Sequence, residues 1–465
     1  MKKVKLTAKN ENRKDGPRHA GPVSASHENG GVELERRALD DGFSKGALNI
    51  FVFVICGLFV AFAVGLMMNP LGTQRYMFFN GMKDFFADFL NVLHYIAERD
   101  PYFNTVNGYC EHAYFPLAYM IYYPFSQLDN FSMMSLYEAW GSRIGLFSCF
   151  LLTGFFVFLL FAALYQIVKK YYVSPYILIS LVLSYIVIHT LERGNLVILS
   201  AACVGFFICN YDSENKRKRI WAAMVLALAV VLKSYPVLFG ILYLEKKQYR
   251  ELLFCAVITL LLTFVPYLFF KGGFANIPQH IGNLHQYTEA YSIRRFCPRL
   301  SFGHLTYFCC VLLKCPEKNI LLLSSAAKII NMIMCVVSIG FSCLEKNKWL
   351  KISLLTMALL FLPTNSNYYC GLYMFPMIIL FFSTMRERAR PFNIFVFIIF
   401  IVFLNPLQIA TIQWSRGTVG TVNYLIGNVA LLSLYLVLLI SSGRQIAMNY
   451  IASISSKRAF FNKGA

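Results

Sequence analysis

Four long stretches of this chain carry no Asp, Glu, Lys or Arg: Leu48–Gln74, Ile144–Val168, Tyr171–Leu191 and Ile352–Met385. A helix of about 20 apolar residues crosses the hydrocarbon core of a bilayer. Inside that core only a helix or a closed barrel satisfies its own backbone. Runs of this length, far longer than a barrel strand, predict a bundle of membrane helices. Composition agrees where it bears on the choice. The chain is 57% hydrophobic and 14% charged, against about 25% charged in a soluble globular domain, and its mean hydropathy is +0.55. The expected fold is an all-α polytopic membrane protein.

The net charge of +20 raises the question of a nucleic-acid partner. The basic residues stand in short clusters between apolar runs, the pattern that orients membrane helices. No single basic face interleaved with aromatics is visible, so nucleic acid is not an expected partner. The thirteen cysteines are scattered, and Cys56, Cys149, Cys203, Cys209 and Cys255 lie in apolar runs, where cysteine behaves as a small hydrophobe. No C-x-x-C occurs, and the vicinal Cys309–Cys310 pair does not have ligand spacing. Neither a metal site nor a disulfide framework is expected.

Residues 1–46 are polar and are expected to be a disordered cytoplasmic tail. The length of this tail and the lack of a small-residue cleavage site after the first apolar run argue against a cleaved signal peptide. Lys169-Lys170, Lys216–Arg219, Glu245–Arg250, Glu345–Lys351, Arg386–Arg390 and Arg444–Lys463 can all be placed in the cytoplasm at once. That threading gives about twelve crossings: 47–68, 143–168, 174–190, 195–211, 220–233, 235–244, 251–271, 319–344, 350–363, 368–385, 392–410 and 421–441. Pro236 marks a break between two short ones, and 113–128 and 301–314 are ambiguous between crossing and re-entrant. The membrane domain is thus 47–441, and 442–465 is a basic cytoplasmic tail.

The segments left on the opposite face carry the chemistry. They are the first extracytoplasmic loop 69–142, Glu192–Asn195, Lys233–Pro236, the basic loop 272–300, Thr364–Tyr369 and Gln413–Gly420. In the first loop Asp84 and Asp88 share a helical face that Asn91 and Tyr95 continue. A carboxylate against an apolar wall is a candidate general base on a hydroxyl, and these two aspartates are the candidate catalytic groups. Arg193 next to Gly194 leaves open backbone donors that suit a phosphate oxygen, or it pairs with Glu192 across two helix ends. Lys233 ends an uncharged helix at a Ser-Tyr-Pro break, where a lysine snorkels or meets an anion. Arg294 and Arg295 put positive charge on the face where few are expected, which an anionic lipid phosphate would explain. Asn91, Tyr95, His112, Tyr114, Asn195, His285, Asn365, Asn367 and Tyr368 are the expected sugar- or acceptor-binding groups. His112 beside Glu111 lacks a spaced third ligand, so no metal is expected there. The glycine-rich nucleotide loops, the nucleophile elbow and H-E-x-x-H are all absent. An energy-rich substrate would therefore have to arrive through the membrane.

Taken in order, these segments resemble the GT-C superfamily of polyprenyl-phosphate-dependent glycosyltransferases, and within it glycosyltransferase family 87, the mannosyltransferase-like group. Asp88-Phe89-Leu90-Asn91…Tyr95 with Asp100-Pro101-Tyr102 looks like the family's acidic first-loop motif. Tyr114-Phe115-Pro116-Leu117 is similar to its Tyr-Pro-Pro-Leu element, with Phe115 in place of the first Pro. Arg193-Gly194-Asn195 stands where the family has Gly-Gln near an Asn, and Lys233-Ser234-Tyr235-Pro236 matches its Lys-x-x-Pro break. Pro363–Tyr369 resembles a later Ser-Pro-x-Ser-Trp-x-His segment whose Trp and His are missing here. The likeness covers about residues 80–410.

The resemblance implies a GT-C-type bundle with a large helical first loop and an inverting transfer of a mannose-like hexose or a pentose. The donor would be carried on polyprenyl phosphate, the acceptor would be a hydroxyl of a lipid or glycan, and no cofactor would be needed. The first-loop Asp would be the base, and the reaction would occur on the extracytoplasmic face, in a bacterial plasma membrane. The alternatives from other classes are a lipid-linked oligosaccharide flippase or another transporter, and a polysaccharide polymerase.

Overall fold

Helix boundaries in the computed structural model follow the apolar windows closely but divide several of them. The structure describes residues 27–68, 86–103, 112–290, 299–363, 366–407, 411–413 and 419–461. In chain order the helices are α1 (His27–Met68), α2 (Ala87–Ile96), α3 (Pro116–Ser126), α4 (Leu136–Gly141), α5 (Arg143–Lys170), α6 (Ile177–Val182), α7 (Tyr185–Arg193), α8 (Val197–Asn210) and α9 (Lys216–Leu232). They continue as α10 (Ile241–Glu245), α11 (Tyr249–Phe264), α12 (Asn276–Ala290), α13 (Phe302–Leu312), α14 (Glu317–Leu344), α15 (Lys348–Phe361), α16 (Phe375–Ser383), α17 (Arg390–Leu404) and α18 (Val422–Phe461). A small antiparallel hairpin, Thr411–Gln413 with Val419–Thr421, departs from the all-α pattern and pairs Ile412 with Gly420.

Among the described residues, Ser44–Met68, Arg143–Lys170, Tyr249–Phe269, Glu317–Leu344 and Val422–Ile454 are long and apolar enough to cross a membrane. The chain is an all-α polytopic membrane protein. α5 shows why such a span forms: the Ser142 hydroxyl accepts the Gly145 N–H at its start, and Lys169 and Lys170 complement the dipole at its end.

Four expected spans are not single helices: 368–385 opens as a 3-10 turn over Tyr368–Met374 before α16, and the other three breaks each have a local cause. Residues 174–190 divide between α6 and α7, where Ser180 and Ser184 donate their hydroxyls back to Ile177 O and Leu181 O. Such bonds compete with the helical ladder. Residues 235–244 begin as a 3-10 turn, Tyr235–Gly240, because Pro236 has no N–H to give. The 251–271 span stops being α-helical at Phe264 and closes as a 3-10 turn over Val265–Phe269, around Pro266. The ambiguous stretches become the short helices α3 and α13. α1 begins at His27, inside the stretch expected as tail; residues 1–26 lie outside the described residues.

A helix that is apolar all round belongs in the middle of a bundle. α15 is that element: every residue from Trp349 to Phe361 is buried, with the Trp349 indole donating to Met377 O at 3.0 Å. α8 and α16 are almost as enclosed, while α1, α11 and α14 turn broad apolar faces outward.

The basic clusters meet at one end of this bundle. Asp212 takes Lys170 at 2.9 Å and also Lys348. Glu245 takes the buried Lys351 at 2.8 Å, and Glu251 takes Arg219 at 2.9 Å. Glu345 accepts the Ser442 hydroxyl. The polar turns meet at the other end.

Candidate active site

Asp88 is the second residue of α2, in the first turn, where the helix dipole favours a carboxylate. α2 starts abruptly: Phe86 is in the left-handed region (φ 54°), and its N–H is bonded to Glu192 O at 2.8 Å. That bond docks the start of α2 on the turn between α7 and α8. Gly194 makes the turn with φ 63°, and a Cβ there would lie 2.9 Å from Phe89 Cβ and 3.1 Å from Cys149 Sγ. Only glycine fits both the backbone and the space.

This turn holds both oxygens of Asp88. Arg193 Nη2 donates to Oδ1 at 2.5 Å, and Asn195 Nδ2 donates to Oδ2 at 2.6 Å. Asn195 is aimed by its own cap, since its Oδ1 accepts the Val197 N–H at 2.9 Å and so points the amide nitrogen at Asp88. Burial pushes the Asp88 carboxyl up, but Arg193, Asn195 and the more distant charge of Lys233 outweigh it and hold the carboxyl below its usual range. The side chain remains 19% exposed, so a substrate can reach it.

Lys233 caps α9 in an extended conformation and points into an aromatic cage. Its Nζ lies 4.7 Å from the centre of the Tyr114 ring and 6.0 Å from that of Tyr369. Among the described residues it makes no ion pair or hydrogen bond. Tyr114, Tyr122 and Tyr369 all feel the Asp88 charge, and Tyr287 of α12 lies within electrostatic reach of Tyr114 and Tyr369. The site is thus an ionised carboxylate and two cations inside a wall of tyrosine, a set suited to sugars and phosphates.

Of the residues expected from the sequence, Asp88, Arg193, Asn195, Lys233 and Tyr114 come together. Asp84, Arg294, Arg295 and Asn365 lie outside the described residues. Arg193 pairs with Asp88 and not with Glu192, whose carboxylate lies 3.4 Å from His189. Asn91 does not continue the Asp88 face. Its Oδ1 is turned to α4, where it accepts the Trp140 indole at 2.7 Å. Tyr95 is buried two turns below Asp88, stacked on His112 at 4.2 Å between ring centres.

His285 is exposed beside Glu289. Asn367 caps its own turn through the Tyr368 N–H, and the buried Tyr368 hydroxyl is bonded to Asn423 O and Tyr424 O. The described part of the basic loop 272–300 contains α12, which is pinned to the first loop. Asn283 donates to Tyr102 O and His112 O, and His280 sits between Tyr267 and Ala113 O. Tyr122, Tyr287 and Tyr369 were missed because an aromatic in an aromatic-rich chain gives no signal of its own. Tyr369 stands one residue beyond the last candidate named, and the polar run that ends on it was the available clue.

The model of glycosyltransferase family 87 matches residues 112–363, a stretch that includes Arg193, Asn195 and Lys233 and begins after Asp88. No curated protein and no solved structure matches the chain. With more than half of the sequence under that family model and a bundle of membrane helices carrying the site, the chain belongs to glycosyltransferase family 87 and is an integral-membrane glycosyltransferase.

Proposed function

We propose that the protein moves a sugar from a polyprenyl-phosphate carrier to a hydroxyl of a lipid or glycan acceptor, with inversion, and that Asp88 is the general base. The observation that carries the reading is the Asp88 carboxylate, fixed by Arg193 and Asn195 and facing the Lys233–tyrosine cage at one end of a membrane bundle. The acceptor oxygen attacks the anomeric carbon as its proton passes to Asp88. The carbon–oxygen bond to the carrier phosphate breaks, and the electron pair leaves with the phosphate. One carboxylate suffices, because phosphate needs no proton to depart when a cation neutralises it. Asp88 is a weak base, but it is ionised across the neutral range. Proton transfer to it becomes favourable once the attacking hydroxyl acidifies in the transition state.

Two observations support an extracytoplasmic site. The Asp88 cluster packs on Cys149 near the start of α5, and the lysine–aspartate cluster packs on Lys170 at its end. At 1.5 Å per residue these positions are about 30 Å apart, one hydrocarbon thickness. The end that gathers Lys and Arg is the one expected in the cytoplasm. The test is donor choice: purified protein in proteoliposomes is given a radiolabelled polyprenyl-phosphate sugar or the matching nucleotide sugar. Transfer from the lipid-linked donor alone is expected. Transfer from the nucleotide sugar alone would overturn the reading.

A further inference from the structure

The turn that joins α13 to α14 gathers three cysteines, Cys309, Cys310 and Cys315. Its shape is set by Lys314, which is in the left-handed region with φ 54°. The Lys314 N–H donates to Val311 O at 2.9 Å, and the Cys315 N–H reaches back to Cys310 O, also at 2.9 Å. Those two bonds make a Schellman ending, in which the residue after the left-handed one packs its side chain on the residue whose carbonyl it caps. Here the two residues are Cys315 and Cys310. One hydrogen bond between their backbones leaves the Cα atoms within the roughly 4.4–6.8 Å that a disulfide spans. The two thiols lie within electrostatic reach of each other. Cys309 stands about 100° away around α13. Among the described residues no group of three or more His, Cys, Asp or Glu could hold a metal, so the pair lacks the ligands of a metal site.

Two further observations bear on what such a pair does. Glycine is the usual left-handed residue at a helix end, and a lysine held there is strained unless its surroundings over-determine the turn. A covalent bond across the turn would do so. The second observation is position. α14 has 28 residues and ends at Leu344, beside Glu345 and the lysine–carboxylate end of the bundle. At 1.5 Å per residue it is about 42 Å long, more than the roughly 30 Å of a hydrocarbon core. The turn at its start therefore lies beyond the opposite face, on the side of Asp88. Cys310 is buried there and Cys315 is partly exposed.

We infer that Cys310 and Cys315 are joined by a disulfide that staples the α13–α14 turn in the protein as it stands in the membrane. The oxidising compartment rests on the extracytoplasmic face argued under the proposed function; the pairing of the two cysteines does not. Disulfides persist outside the cytosol and are rare within it. The co-reactant is the disulfide of a thiol–disulfide oxidoreductase. The Cys315 thiolate attacks it, a mixed disulfide forms, and one thiol of the oxidant leaves. The Cys310 thiolate then attacks Cys315 Sγ, so that the Cys310–Cys315 bond forms, the mixed disulfide breaks and the second thiol of the oxidant leaves. The cysteines lose two electrons and two protons, and the disulfide of the oxidant gains them. The near end of the same hairpin is tied to the site wall, since the Leu300 N–H donates to Ser366 O at 2.8 Å, three residues before Tyr369. The staple fixes the far end of that arm.

The experiment reads the bond directly in the full chain. Membranes are denatured in N-ethylmaleimide, and the purified protein is digested with trypsin without reductant and analysed by mass spectrometry. Cleavage after Lys314 separates 300–314 from 315–318, so only a disulfide can keep these peptides together. They are expected to be recovered joined, to come apart on reduction, and to carry maleimide on Cys309 alone. Cys309→Ser is expected to keep the joined pair and Cys310→Ser to lose it; the reverse result would overturn the assignment of the partner. Maleimide on both Cys310 and Cys315 of the wild type would overturn the disulfide. Incubating the purified chain with oxidised glutathione then separates the two premises. Closure of the bond would overturn the face assigned to the turn, and continued labelling of both thiols would overturn the pairing.

Discussion

Asp88 is kept ionised by its neighbours, and this fixes what pH should do to the enzyme. Its carboxyl is held down, so its basic form is present throughout the neutral range and is lost only as pH falls through that lowered value. Arg193→Gln removes the strongest lowering influence and leaves burial, which raises the pKa. The acid limb of the kcat/KM profile is therefore expected to move to higher pH in this variant, and an unmoved limb would show that Asp88 is not the titrating base. His112 behaves in the opposite sense. Burial lowers its pKa from 6.5 to about 4, so the folded protein refuses a proton that the unfolded chain accepts. Stability is then lost as pH falls from 6.5 towards 4, by at most about 3 kcal/mol. His112→Phe should flatten that part of the thermal-midpoint profile, measured between pH 7 and 5.

At this scale, the sequence reading found the residues that interrupt a regular pattern: Arg193 and Asn195 flank a glycine, and Lys233 stands before a Ser-Tyr-Pro break. It could not separate Tyr369 from Tyr368. In a 3-10 turn, neighbouring side chains diverge by about a third of a turn, and only packing against Tyr424 decides which of them is buried.

Elements matter here chiefly through their ends. The α7–α8 turn is the brace of the site, and Gly194 is its weakest point to substitution. Gly194→Ala combines a positive φ with a close approach to Phe89 Cβ. It should destabilise the protein by about 1–3 kcal/mol and, by tilting α2, lower activity even where the protein folds; denaturation midpoints and transfer rates measure the two effects. α12 depends similarly on Asn283, whose amide serves two backbone carbonyls of the first loop. Asn283→Ala leaves both without that donor, at a cost of about 2 kcal/mol or more, and hydrogen exchange over 276–290 should rise. Helix positions were legible because uncharged windows of this length have few other solutions in a bilayer. Their breaks were less so, because a serine bonded to its own backbone at Ser184 does not differ in sequence from one bonded across helices, such as Ser338 with Tyr435.

The whole molecule has two chemically distinct ends. One end is cross-linked by lysine–carboxylate pairs, and the other holds the buried carboxylate and its cage. The sequence grouped the segments of both ends correctly wherever they fall within the described residues, since the placement of Lys and Arg groups them without knowledge of packing. The contacts that turn the second group into a site come from distant parts of the chain, and periodicity does not register those. Glu214 and Ser234 are exposed at opposite ends of α9. With native cysteines replaced, Glu214→Cys and Ser234→Cys should react with an impermeant maleimide from opposite sides of sealed vesicles. Labelling of both from one side would remove α9 from the set of crossings.

The central claim is that Asp88 takes the proton of the acceptor. Its most direct test is the initial rate of sugar transfer from polyprenyl phosphate by wild type and by Asp88→Asn in proteoliposomes, at equal protein and equal thermal stability. Asparagine keeps the size of the side chain and cannot accept the proton. The account predicts a rate lower by at least about 100-fold with little change in donor affinity. A folded Asp88→Asn enzyme transferring sugar at the wild-type rate would contradict it.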